Sequence, residues 1–125
     1  NGIPDNDLTS GVNYRVIRYA DVLLMAAEAY SRLGDDATAL GYLNQVRQRA
    51  GMFLRTSSGN ELYEHILKER RSELSCEGHR FFDLVRTGKA ADEIEYFETG
   101  KHELFPIPQV EIDLAGGNWA QNPRY

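Results

Sequence analysis

The stretch YADVLLMAAEAYSRLGDDATALGYLNQVRQRAG, residues 19–51, decides the fold. Apolar or small side chains recur at Tyr19, Val22, Leu23, Ala26, Ala27, Tyr30 and Leu33, a spacing that only a helix of 3.6 residues per turn gathers on one face. Gly34 follows, free to take positive φ at a helix end, and Asp35 or Asp36 can accept from the unpaired amides of the next helix. A second helix is expected over about 36–50, presenting Ala39, Leu43, Val46 and Ala50 at steps of four, three and four and stopping before Gly51. So short a joint makes the two helices antiparallel neighbours. Ala26, Ala27 and Ala39 let their backbones approach closely beside the bulk of Tyr30 and Leu43. One hairpin cannot bury both of its faces.

Outward from the hairpin, residues 1–13 (NGIPDNDLTSGVN) mix Gly, Pro, Asn and Asp without a period and read as an entering loop. On the other side, Leu62, Ile66, Arg70 and Leu74 fall at four-residue steps after the break at Ser57 to Asn60, predicting a third helix over about 61–77. Gly78 closes it, and HRFFDLVRTGK makes a short fourth helix bounded by Gly88, so that the third and fourth helices occupy 61–87. Cys76 falls in the third helix and reads as a small buried apolar residue; Phe81 and Phe82 read as core. From 104 to 125, Pro106 and Pro108 impose an extended backbone, and Gly116, Gly117 and Pro123 keep the tail irregular. The expectation is one all-α domain, with the extended tail packed across helical hairpins.

Composition narrows the function. The 125 residues suit one domain, and a 42% hydrophobic content is enough for a single core. Net charge is -5 with both signs interleaved, so no basic stripe exists to collect phosphates and nucleic acid is not an expected partner. No apolar run approaches the roughly 20 residues that span a bilayer. The single cysteine forms no internal disulfide. His65, His79 and His102 have no metal-ligand spacing, and neither a phosphate loop, a GxGxxG fingerprint nor a GxSxG elbow is present, so no metal and no cofactor is expected.

Two constellations remain. Glu69, Glu73 and Glu77 stand at i, i+4 and i+8 on the predicted third helix, and a carboxylate pair is what glycosidases use. Arg70, Arg71, Arg80 and Arg86 crowd the same region and favour charged acids, the reverse of what a general acid needs, so a structural ion-pair network is the preferred reading. Arg70 lies on the apolar stripe, where an unpaired guanidinium costs about 3–5 kcal/mol, so some carboxylate must reach it. Glu73 is near in sequence; Asp83 is the preferred partner because it links two elements. Among the aromatics, Trp119, beside Gly117 and Asn118, is the candidate for stacking on a sugar ring, its alternative role being to pin the tail.

The hairpin over 19–50 resembles a tetratricopeptide-repeat pair. Taken in order, IRYADVLLMAAEAY, ALGYLNQVRQRAG, ILKERRSELSCEGHRFFDLVRTGK, LFPIPQVEI and QNPRY resemble the C-terminal region of the SusD/RagB family over about residues 14–125. The most specific parts are Glu69-Arg70-Arg71-Ser72-Glu73-Leu74, Glu77-Gly78-His79-Arg80 with Asp83-Leu84, and the tail FPIP with QNP and a terminal Tyr. Trp119 departs from the family's usual aliphatic residue and Arg124 from a common Gly. The resemblance implies a non-enzymatic, outer-membrane, lipid-anchored protein on the extracellular face, capturing glycans or other nutrients and sitting as a lid on a SusC-like TonB-dependent transporter. It also implies that the anchoring lipid and most sugar-contacting residues lie upstream of the matched part, leaving this chain as scaffold. Two other readings compete: a free-standing tetratricopeptide-like protein-interaction module, and a glycosidase using two of Glu69, Glu73 and Glu77.

Overall fold

The computed structural model describes residues 15–125; the entering loop expected over 1–13 lies outside them. Among the described residues the regular structure is helical, with no strand. The chain divides into two compact units, Asn1–Ser75 and Cys76–Tyr125.

The first unit is a three-helix assembly: α1 (Tyr19–Arg32), α2 (Asp36–Arg49) and α3 (Gly59–Glu73). Gly34 takes φ +82° at the joint, and Asp35 caps α2 by accepting from the Thr38 amide at 3.1 Å. Asp36, the alternative cap, instead accepts from the Gly59 amide at the start of α3 (2.7 Å). α1 and α2 run antiparallel, Tyr30 stacking on Tyr42 with ring centroids 5.7 Å apart. Leu23, Leu24, Ala27, Ala39, Leu43, Val46, Leu62 and Ile66 form one buried cluster. Each fully buried leucine or isoleucine there contributes roughly 1.5–3 kcal/mol relative to exposure. The alanines Ala27 and Ala39 have no exposed surface, as close backbone approach requires.

The buried arc of α1 is narrower than its apolar pattern. Leu23, Leu24 and Ala27 are buried, whereas Tyr19, Val22, Tyr30 and Leu33 are exposed. An apolar band wider than the arc that α2 and α3 cover leaves its margin outside. Ala50, expected on the α2 stripe, is likewise exposed, because it is already the C-cap. The α3 stripe follows its pattern throughout: Leu62, Ile66, Arg70 and Leu74 are all buried.

α3 stops at Glu73, four residues before its expected end, and Cys76 takes φ +65° as an exposed thiol. Its expected burial inside the helix is therefore wrong; a left-handed residue cannot continue a right-handed helix. The same early stop takes Glu77 off the face shared by Glu69 and Glu73.

The second unit holds α4 (Arg80–Arg86), α5 (Ala90–Glu93) and α6 (Gln109–Leu114). Thr87 Oγ1 donates to the Asp83 carbonyl (2.7 Å) as α4 ends, and Gly88 follows at φ +71°. Phe81 packs on Phe82 and Phe105, with centroids 5.6 and 5.7 Å away, but Phe82 stays largely exposed rather than joining a core. The tail is extended through Pro108, as two closely spaced prolines dictate, and then turns into the short α6 where only irregular chain was expected. Pro108 sits just before that helix, where its missing amide costs no helical hydrogen bond.

Candidate functional site

Charged side chains on α3 connect it to both other helices of its unit. Arg70 Nη1 donates to Asp21 Oδ1 on α1 at 2.8 Å, and both side chains are nearly closed to solvent (5% and 7% exposed). Arg18, just before α1, donates to the Glu73 carboxylate (2.9 Å) and to the Glu73 carbonyl (2.8 Å). From α2, Arg49 also donates to Glu73, and Arg47 donates to Glu69. The Glu69 and Glu73 side chains are themselves mostly buried. The block 69–73 thus carries both signs of charge, and the partners of Glu69, Arg70 and Glu73 come from α1, the residue before it and α2.

Local sequence explains why these groups are inside. Asp21 stands three residues before Leu24 and six before Ala27, on the buried arc of α1. Arg47 follows Val46 and lies four residues after Leu43, the same position on α2. Each therefore needs a partner of opposite charge, and the pairing restricts the angle at which helices can pack. The expectation that a carboxylate must reach Arg70 is met here by Asp21, which the sequence reading did not single out. The signal was available: an acid at helical spacing from buried leucines.

Arg80 and Asp83 sit in the second unit. Arg80 pairs with Glu93 (3.0 Å) and Asp83 with Arg86 (2.7 Å). The Arg80 pair and Arg86 are at least one-third exposed, so these contacts bring little stability.

Between α2 and α3 lies a cleft of about 400 Å³, lined by Arg47, Arg55, His65, Lys68, Glu69 and Ser72 among others. Met52 and Arg55 in its lining belong to the strap of residues 52–57, a segment without regular structure that polar bonds pin to α2. Arg47 Nε donates to the Phe53 carbonyl (2.8 Å), while Asn44 accepts from the Arg55 amide (2.8 Å) and donates to the Arg55 carbonyl (3.0 Å). Ser57 Oγ and His65 Nδ1 stand 2.8 Å apart. A second groove, about 560 Å³, opens between the start of α1 and the end of α2, with Tyr19, Leu23 and Val46 in its wall.

In the second unit the terminal QNPRY acts as a clip on LFPIP. Gln121 donates to the Ile107 carbonyl and accepts from the Ile107 amide, both at 2.8 Å. Asn122 donates to the Phe105 carbonyl (2.6 Å), and the Tyr125 hydroxyl donates to the Leu104 carbonyl (3.0 Å). Prolines cannot donate amides, so the side-chain amides of Gln121 and Asn122 meet backbone groups that regular structure leaves open. Arg124 takes φ +69° and reaches Glu98 and the Thr99 carbonyl. Trp119 is 55% exposed in this tail. Among the described residues, no cluster of three His, Cys, Asp or Glu side chains suits a metal ion. Two surface acids are shifted. The Thr38 side chain and amide hold Asp35 below its ordinary range, and the Gly100 amide, 2.8–2.9 Å from both Glu103 oxygens, does the same for Glu103.

The family model of the SusD family matches residues 1–104. The chain belongs to the SusD/RagB family. It is 41% identical over 90 residues to SusD-like protein P38 of Formosa agariphila, covering 64% of this chain and 18% of that protein. SusD-like protein P2 of the same organism is 31% identical, over 97% of this chain and 28% of its own length. Among solved structures, a SusD homologue of Bacteroides thetaiotaomicron superposes with a TM-score of 0.79 at 35% identity, covering 86% of this chain and 25% of that one. A SusD-like protein of Bacteroides fragilis gives 0.79 at 29% identity, over 98% and 28% respectively. The SusD-family chain thus spans less than a third of each relative's length. The α1–α2 hairpin and the helical fold agree with those neighbours, and the segments that carried the resemblance in sequence are the ones joined by the ion pairs and the tail clip.

Proposed function

We propose that this chain is the scaffold part of a cell-surface glycan- or nutrient-binding lipoprotein that works with a SusC-like TonB-dependent transporter in polysaccharide uptake. The observation that carries this reading is the use of charge inside the first unit. Glu69 and Glu73, the carboxylates a glycosidase would need, are engaged by Arg47, Arg18 and Arg49. Buried pairs of this kind hold helices in fixed geometry, and a rigid frame lets loops elsewhere present sugar-binding side chains at little ordering cost. Family membership places the chain among proteins whose larger part lies outside this match. Among the described residues no helix is long and apolar enough to cross a membrane. The proposal includes, from the family resemblance alone, membrane attachment at the extracellular face through a lipid on the parent protein.

Trp119 is the sugar-stacking candidate of this chain, since its ring is exposed beside Asn118 and Gly117. Pairing of Arg70 with Asp83 is likewise proposed. In a double-mutant cycle on these two residues, simple additivity would discard that pair without touching the Asp21 contact. The function is tested by calorimetric titration of this chain, and of its longer parent, with a panel of oligosaccharides. Binding by the parent alone is expected. Strong binding by the 125-residue chain, lost on Trp119→Ala, would move the ligand site into the tail and overturn the scaffold assignment.

A further inference from the structure

In the second unit, residues 97–104 (FETGKHEL) turn back on themselves about His102. The Glu98 carbonyl accepts from the Lys101 and His102 amides at 3.1 and 3.0 Å, and the Glu98 amide donates to His102 Nδ1 at 2.9 Å. A backbone N–H can only donate, so the ring nitrogen that meets it carries a lone pair and no proton. The closed turn therefore requires the neutral imidazole, with its proton on Nε2. The half-buried ring also meets Phe97 edge to face, with centroids 5.8 Å apart, which limits its rotation away from the amide.

This turn is the seat of Arg124 and Tyr125. Arg124 donates to the Thr99 carbonyl (3.0 Å) and to the Glu98 carboxylate (2.8 Å). The Tyr125 hydroxyl donates to the Leu104 carbonyl (3.0 Å), and the Lys101 ammonium lies 5.3 Å from the centre of the Tyr125 ring. Gln121 and Asn122, by contrast, hold Phe105 and Ile107, beyond the turn. The titratable and charged groups packed about His102 pull both ways. Glu98 and Glu103 favour an imidazolium, although Arg124 occupies the first and the Gly100 amide bonds both oxygens of the second. Lys101 and Arg124 oppose it, and a phenol is uncharged where an imidazole titrates. None of these groups returns an acceptor to the Glu98 amide, so N–H faces N–H in the protonated turn whatever the balance of charge.

We propose that His102 is an acid-sensitive latch on the tail: with the imidazole neutral the 98–102 turn is closed and seats Arg124 and Tyr125, and a proton on Nδ1 opens it. Gln121 and Asn122 keep their hold on LFPIP, so acid frees the last two residues and not the whole tail. The contact is present above the imidazole range and is lost as pH falls through it. The latch does not depend on whether the protein captures a glycan.

The test is hydrogen exchange at single-residue resolution on the full-length encoded protein, at about pH 7.5 and about pH 5.0, which bracket the ordinary imidazole value of about 6.5. Rates are divided by the intrinsic rate at each pH. Protection of the Glu98 amide is expected to fall by about fivefold in acid, the scale of one hydrogen bond, and the Tyr125 amide to exchange faster with it. The Ile107 amide, bonded to Gln121, should keep its protection. His102→Asn places a carboxamide oxygen near the position of Nδ1 and cannot titrate, so Glu98 should stay protected at both pH values. His102→Phe should leave Glu98 poorly protected at both, with Ile107 reporting that the unit stays folded. Acid loss that persists in His102→Asn, full protection at neutral pH in His102→Phe, an unchanged Tyr125 amide, or an equal loss at Ile107 overturns the latch.

Discussion

The two units of this chain are held together by different means. The first encloses a continuous apolar cluster from three helices and locks it with a nearly solvent-free ion pair between Asp21 and Arg70. In the second, the buried apolar residues are only Leu84 and Ala90, and the backbone of LFPIP is secured by side-chain amides and a tyrosine hydroxyl. The contrast teaches that one family pattern can combine a cooperative core with a segment ordered by polar clips. Damage to the first should be global and damage to the second local.

The sharpest way to break that comparison is at Asp21–Arg70. Asp21→Ala or Arg70→Ala is expected to cost about 3–5 kcal/mol, because each strands a buried charge, read as a lower urea midpoint. The double variant should lose much less than the sum of the singles. Replacing the pair with Leu and Met should recover most of the loss, since paired apolar side chains need no partner. Additive singles would remove the locking role from the pair.

Next in size, Leu24→Ala is expected to cost about 2–5 kcal/mol through loss of a fully buried side chain and the cavity left behind. Hydrogen exchange should accelerate together along α1, α2 and α3. Gln121→Ala should lose about 1–3 kcal/mol, from three part-buried hydrogen bonds. Its effect should be confined to faster exchange at Ile107 and its neighbours, with the first unit unchanged. If Gln121→Ala loosened α1–α3 as strongly as Leu24→Ala, the distinction between core and clip would fail.

Two smaller effects sharpen it. Arg124→Gly relieves a left-handed backbone, worth about 1 kcal/mol, but removes an exposed ion pair worth roughly 0.2–1 kcal/mol. A melting temperature almost unchanged, or slightly raised, is expected. Asp35 contributes least. Because its folded carboxyl titrates below its usual value of 3.8, its stabilising effect is complete above that range and is lost as pH falls through the lowered folded value. Asp35→Ala should therefore lower the melting temperature slightly at neutral pH, and the difference from the parent should vanish in strong acid.

Much of this is legible in the sequence. The hairpin, its Gly-Asp joint and the α3 stripe through Arg70 follow from helical spacing, because a 3.6-residue period has one geometric solution. Less legible were the ends. Nothing local in LSCEGH announces that α3 stops at Glu73, since Cys76 is not a residue that usually marks a left-handed position. The α6 helix was missed because the prolines before it drew the whole tail into an extended reading, although they constrain only the chain up to Pro108.

The sequence by itself determined the family, the helical class, and the requirement that Arg70 have a carboxylate partner. Only the tertiary structure decided that Asp21 is such a partner, that Arg47, Arg18 and Arg49 claim Glu69 and Glu73, and that Gln121 and Asn122 close on the proline segment. The reason is physical: periodicity is a property of neighbours along the chain, whereas an ion pair between residues 49 positions apart exists only once packing has brought their helices together.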